Sequence, residues 1–318
     1  MTLKAPFPWF GGKRAVAAEV WRRFGDVKNS VEPFFGSGAV LLGRPQPFRG
    51  VETVNDADGL LCNFWRALQA DPEGVARAAD WPVNEADLHA RHLWLLGQRE
   101  RVTERLMGDP DYYDVKAAGW WAWGVCAWIG SGWCSGKGPW VAVDGVLTDS
   151  RHLGDAGQGI NRQLPHLGDA GRGLECVRAH LLPLADRLRD VRVACGDWTR
   201  VVGGSVTWRH GLTAIFLDPP YTDGDIDYAA GGYGGSVAQA AREWAVANGD
   251  NPMLRIALCG YGGEHDMPEG WSAHRWKAAG GYGNQGKSNA NRHRETIWFS
   301  PACLSGAEQA PLALEAAS

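Results

Sequence analysis

Ala214-Ile215-Phe216-Leu217-Asp218-Pro219-Pro220-Tyr221 is the stretch from which the rest of the chain can be read outward. Its four leading apolar residues form a continuous run rather than an alternation. Such a run fits a strand covered on both faces, as in a parallel sheet flanked by helices. The run then stops on a carboxylate, two prolines and a tyrosine. Each proline fixes its own φ and holds the residue before it extended, so Asp218 and the Pro219 carbonyl sit on a stiff turn. That turn lies at the carboxyl end of a strand, the edge where open α/β sheets bind ligands.

A carboxylate and a carbonyl held side by side suit the alkylation of an exocyclic amine. The amine of a nucleobase is a poor nucleophile because its lone pair is delocalised into the ring. Two acceptors taking its N–H groups draw the lone pair out of conjugation and aim it, which is positioning plus electrostatics. Tyr221 would add a stacking face for a base swung out of a duplex. Asp218-Pro219-Pro220-Tyr221 resembles the signature of amino-methyltransferases that use S-adenosylmethionine, above all the Dam-like adenine-specific DNA methyltransferases. What the resemblance implies is a doubly wound, mostly parallel α/β sheet with a reversed hairpin, interrupted by a target-recognition insert.

Upstream motifs occur in the order that family would require. Val31-Glu32-Pro33-Phe34-Phe35-Gly36-Ser37-Gly38 reads as a strand entering a glycine turn before a helix. Leu41 stands where a dinucleotide fingerprint has its third glycine, which disfavours a nicotinamide enzyme. Phe35, Gly36 and Gly38 resemble the family's cofactor loop. About twenty residues on, Asp56 and Asp58 end a second strand; one suits ribose hydroxyls and the other a helix cap. The family pattern puts Asp56 on the ribose. Trp9 and Lys13, in Phe7-Pro8-Trp9-Phe10-Gly11-Gly12-Lys13, resemble the N-terminal motif that lines the cofactor pocket, although a plain strap over the sheet fits as well. Asp197 resembles the residue that meets the cofactor's adenine, with a helix cap as its other reading.

The middle of the chain has a different character. A discontinuous catalytic methyltransferase domain is expected over 1–71 and 189–302, with an inserted, mainly helical and loop target-recognition region over 72–188 and a disordered tail over 303–318. Within the insert, Gly119 to Trp128 is apolar all round and belongs in a core. Trp133 and Lys137, in a glycine-rich loop, are expected to touch DNA. His152-Leu153-Gly154-Asp155-Ala156-Gly157 recurs at 166–171, as two similar turns or paired DNA-contacting loops. Past Tyr221, the twelfth position counted from Asp223 is Gly234 rather than Glu, which disfavours a calcium loop. The glycines that follow read as a lid.

Composition constrains the partners. A net charge of -4 is awkward for a nucleic-acid binder. Locally, however, Arg275, Lys277, Lys287, Arg292 and Arg294 crowd a region whose one acid is Glu295. Lys287, Arg292 and Arg294 are therefore expected on phosphates. The seven cysteines are scattered without zinc spacing, and no metal is expected. Neither a signal peptide nor a bilayer-spanning run is evident, so a cytoplasmic, membrane-free monomer is expected. Methylation of adenine N6 in duplex DNA, in a phage, prophage or restriction–modification setting with or without a partner endonuclease, is the function implied. Cytosine N4 or RNA adenine methylation, and a catalytically silent DNA-binding protein, remain the alternatives.

Overall fold

The computed structural model describes residues 3–9, 11–128, 133–134, 140–143, 146–149, 173–221, 234–276 and 295–305. Seven strands form one sheet: β1 (Asn29–Glu32), β2 (Val51–Asp56), β5 (Arg192–Cys195), β6 (Thr213–Leu217), β7 (Leu254–Tyr261), β8 (Ser272–Arg275) and β9 (Glu295–Phe299). Two more, β3 (Trp140–Val143) and β4 (Val146–Asp149), make a separate antiparallel hairpin. The order across the sheet is β5-β2-β1-β6-β7-β9-β8. The first five run parallel, while β9 is antiparallel to both its neighbours. This is the α/β methyltransferase type of sheet that the motifs imply.

The apolar run at 214–217 does what its pattern demands. All five residues of β6 are buried, between β1 and β7. Ala214 and Phe216 face a cluster with Val20, Trp21 and Phe24 of α1 (Ala17–Phe24). Ile215 and Leu217 face the opposite cluster, with Ala241 and Ala245 of α8 (Gly234–Asn248). Period-two alternation within a strand thus divides one unbroken apolar run between two helical layers.

Successive strands leave β1 in opposite directions, through β2 and β5 on one side and β6 and β7 on the other. The switch point lies between β1 and β6, where such sheets open a crevice at their carboxyl ends. Asn55 ties these ends together: its Nδ2 donates to Pro33 and to Gly196, both at 3.0 Å.

Helices α2 (Ala39–Leu42), α3 (Gly59–Ala70), α4 (Pro72–Ala79), α5 (Glu85–Gly108), α6 (Val115–Ala127) and α7 (Leu174–Leu188) complete the fold. Residues of α4 to α7 share one buried cluster with Phe35, Val54 and Trp65, so these helices pack directly on the half of the sheet that carries the glycine loop. Trp121 and Trp123 lie in that core, as the all-apolar pattern predicts. Among the described residues, no helix is long and apolar enough to cross a membrane, and no group of three or more His, Cys, Asp or Glu could hold a metal ion.

Several expectations need correction. The β3–β4 hairpin interrupts a stretch expected to be loop. The run Ile297-Trp298-Phe299, expected to close the sheet, lies in β9, but β8, polar and mostly exposed, pairs outside it as the edge. The chain beyond residue 302 is anchored as far as it is described, since Leu304 donates its N–H to Arg23 at 2.9 Å. Trp133 is the largest change. It is buried rather than presented by an open loop, and its indole N–H donates to the Trp121 carbonyl at 3.1 Å. His92 and Trp128 pack beside it, with ring centroids 4.9 and 5.2 Å away. A DNA contact by this side chain is not supported. The repeat at 152–157 and 166–171, Lys137, and the glycine-rich lid all lie outside the described residues.

Gly124 on α6 makes room for Trp133, because a methyl group there would overlap the indole. At an open helical site Gly→Ala would stabilise by about 1 kcal/mol. Here overpacking outweighs that gain, and Gly124→Ala is expected to destabilise by about 1–3 kcal/mol. Urea unfolding should show a lower midpoint at unchanged slope; an unchanged midpoint would mean that Trp133 is not held as described.

Candidate active site

The glycine loop leaves β1 at Glu32 and enters α2 at Gly38. Gly36 and Gly38 both adopt left-handed conformations, with φ of 50° and 68°. Neither could carry a side chain in the space available. A Cβ on Gly36 would meet the Trp9 indole at 2.5 Å, and one on Gly38 the Phe35 ring at 2.7 Å. Phe35 itself is buried beneath the loop against Trp65, with ring centroids 5.2 Å apart. Trp9, Phe35, Gly36 and Gly38 are thereby brought together.

Asp56 locks the loop from β2. Its Oδ2 accepts the Gly36 N–H and its Oδ1 accepts the Asp58 N–H, both at 3.0 Å. Asp58 caps α3 instead, accepting from Leu60 at 3.0 Å. The two neighbouring acids have therefore divided their roles, one as a cap and one at the loop. Each Asp56 oxygen retains room for a further donor. Burial pushes the Asp56 carboxyl up to about 6, against the pull of its bonds to Asp58 and Gly36. Asp197 takes its capping role: it is exposed, and accepts from the Thr199 N–H at 2.9 Å and from the Thr199 hydroxyl.

Across the switch point stands the Asp218 turn. Pro219 is buried and Pro220 half-buried, while the Asp218 side chain keeps 22% of its surface open. Lys13, expected to line the cofactor pocket, sits against this turn. Its ammonium lies 3.0 Å from Asp218 Oδ1 and 3.7 Å from Glu295 Oε2, and donates to the Gly11 carbonyl at 2.8 Å. Burial works against that charge, but Asp218, with Cys259 and Glu295, outweighs it and raises the lysine above its ordinary value. Tyr221 also departs from expectation. Its ring is buried edge-to-face on Tyr261, with centroids 4.7 Å apart, instead of standing open for stacking. Its hydroxyl lies 3.1 Å from Asp218 Oδ1 and 3.0 Å from Glu295 Oε2.

Two acids at this edge escaped the motif reading. Glu295 is buried at the head of β9, and burial together with Asp218 raises its carboxyl despite Lys13 nearby. Its one signal was being the single acid of a basic stretch, directly before an apolar strand. Glu32 ends β1; burial first, then Glu52, pushes it up to about 8. Lys287, Arg292 and Arg294 fall outside the described residues.

Residues 9–92, which span the glycine loop, Asp56 and the helices up to α5, match the family model of the D12 class N6 adenine-specific DNA methyltransferases. The matched segment is similar to the Dam-like adenine methyltransferases. The match to the D12 class implies an adenine-specific DNA methyltransferase. No curated protein matches it. Methyltransferases of this type generally use S-adenosylmethionine. The side-chain-free glycine loop and the two-oxygen Asp56 acceptor are of the right chemistry for an adenosyl group bearing ribose hydroxyls.

Glu32 yields a test of the electrostatics. Its folded value of about 8 lies above the ordinary 4.5, so the folded state binds the proton more tightly. That contribution is complete below the ordinary value and is lost as pH rises through about 8. Glu32→Gln should therefore gain thermal stability relative to the parent between about pH 5 and pH 8. Parallel melting curves over that range would contradict the assignment.

Proposed function

We propose that this chain methylates the N6 amine of adenine in duplex DNA, using S-adenosylmethionine, at the Asp218 turn. The observation that carries this reading is the placement of a side-chain-free glycine loop and a partly open carboxylate at the ends of neighbouring strands, β1 and β6. When bound, the cofactor supplies an electrophilic methyl group on a sulfonium. Asp56 would hold the ribose hydroxyls, and Gly36 and Gly38 let the backbone approach the cofactor closely. Trp9 would flank the same pocket, and Asp197 the adenine end of the cofactor.

Asp218 would accept one N–H of the target amine and the Pro219 carbonyl the other, restoring the nitrogen lone pair as a nucleophile. Lys13 holds the carboxylate in place from within. A base reaching this turn must leave the duplex stack, so flipping is part of the reading. With Tyr221 buried, its contribution is the hydroxyl that fixes Asp218 unless the ring turns outward on binding. Lys137, Lys287, Arg292 and Arg294 would meet phosphates, and residues 72–188 would carry target recognition. A monomer acting on DNA in the cytoplasm, with or without a paired restriction endonuclease, is the setting this implies.

Asp218→Asn should lower single-turnover methylation of duplex DNA by about a hundredfold or more, the scale for one preorganised electrostatic group. Calorimetry should show cofactor affinity nearly unchanged, because the carboxylate serves the target base. Full activity in the variant would remove this turn from the chemistry. A matching loss of cofactor affinity would move Asp218 to the cofactor site.

A further inference from the structure

The Tyr221 hydroxyl has two carboxylate neighbours and a single proton. Its oxygen lies 3.1 Å from Asp218 Oδ1 and 3.0 Å from Glu295 Oε2. A phenol can donate only once. With both acids ionised, one of the two contacts is a hydrogen bond and the other sets acceptor against acceptor. Adding one proton to either acid turns both contacts into hydrogen bonds. Charge points the same way. Lys13 lies 3.0 Å from Asp218 and 3.7 Å from Glu295, so one buried cation faces two acids, the buried Glu295 and the partly open Asp218. One further proton makes the group neutral, which burial favours.

Methylation of an amine releases one proton. The transfer breaks a methyl–sulfur bond, whose electron pair stays on sulfur, and makes a methyl–nitrogen bond. The nitrogen is left with one hydrogen too many, and Asp218 is the base at hand. We propose that Tyr221 and Glu295 take this proton away from the site, Asp218 passing it across the tyrosine hydroxyl to the buried Glu295 carboxylate. The inference rests on the methyltransferase reading above. As Asp218 turns its acquired proton toward Tyr221, the phenol gives its own proton to Glu295 Oε2 and takes that of Asp218. Asp218 is ionised again, Tyr221 is neutral, and Glu295 is a carboxylic acid. No other co-reactant is needed.

Burial, with Asp218 adding to it, raises the Glu295 carboxyl above the ordinary range, which makes it the better resting place for a proton. The groups facing it are Lys13 from the N-terminal segment, Asp218 and Tyr221 from the turn after β6, and Cys259 on β7. Tyr261, also on β7, lies opposite Glu295 in the strand register. The Tyr221 phenol is itself held well above its ordinary value, first by burial and then by Asp218, Cys259 and Glu295. It therefore relays a proton without standing ionised. Glu295 touches neither substrate nor cofactor and is a positioning residue that acts through Tyr221.

Two measurements test the relay. In the first, infrared spectra of the protein alone are recorded against pH. A protonated-carboxyl band should titrate above the ordinary carboxylate range, vanish in Glu295→Gln and shift in Tyr221→Phe. In the second, single-turnover methylation of duplex DNA is followed over the same pH range. Glu295→Gln and Tyr221→Phe should each slow transfer at least about tenfold and lose the acid limb of the profile. The double variant should be no slower than either single one, as for two residues in one path. Glu295→Asp should restore part of the rate and of the limb. Additive losses, a wild-type profile in Glu295→Gln, or an unchanged band in that variant would overturn the relay. A parent protein that binds the cofactor but transfers nothing to DNA would defeat the underlying reading, while the infrared titration would still decide where the proton rests.

Discussion

Lys13 is a buried cation on which three distant parts of the chain converge. Asp218 comes from the turn after β6, Glu295 from the head of β9, and Lys13 itself from the N-terminal segment. An ammonium left unpaired at this depth would cost about 3–5 kcal/mol, so these segments must assemble together. The consequence for chemistry is direct. The carboxylate at the crevice is held from within by Lys13 and the Tyr221 hydroxyl, while part of its surface stays open toward the space a substrate would enter. A floating carboxylate would have to be ordered at each turnover, whereas this one is ordered by folding.

The second constraint is steric and lies across the switch point. The loop after β1 can pass between Trp9, Phe35 and Asp56 only because positions 36 and 38 lack side chains and take left-handed φ. Trp9 and Lys13 are four residues apart, yet one packs over the glycine loop and the other anchors the Asp218 turn. The N-terminal segment thus joins the two functional edges of the sheet.

What the sequence made legible was local. The apolar run at 214–217 declared a central strand, the prolines declared a stiff turn, and the glycine spacing declared a loop that admits close approach. That one of Asp56 and Asp58 would cap the next helix was also readable, although only the family resemblance singled out Asp58, which does so. What stayed hidden depended on partners remote in sequence. Glu295 is separated from Tyr221 by 74 residues, and nothing beside it hints at their hydrogen bond. Trp133 stands among glycines and looks exposed, but a glycine on α6 opens a slot for it. β8 has no apolar run because it is an edge strand with most of its side chains in water. Neither its pairing with β9 nor the inner position of β9 could be read from composition.

The account comes down to which atom receives the methyl group. Duplex DNA incubated with the protein and S-adenosylmethionine carrying an isotopically labelled methyl group can be digested to nucleosides and resolved by mass spectrometry. The account predicts that the label appears in N6-methyladenine. Label in methylcytosine, or none in DNA although the protein binds the cofactor, would contradict it.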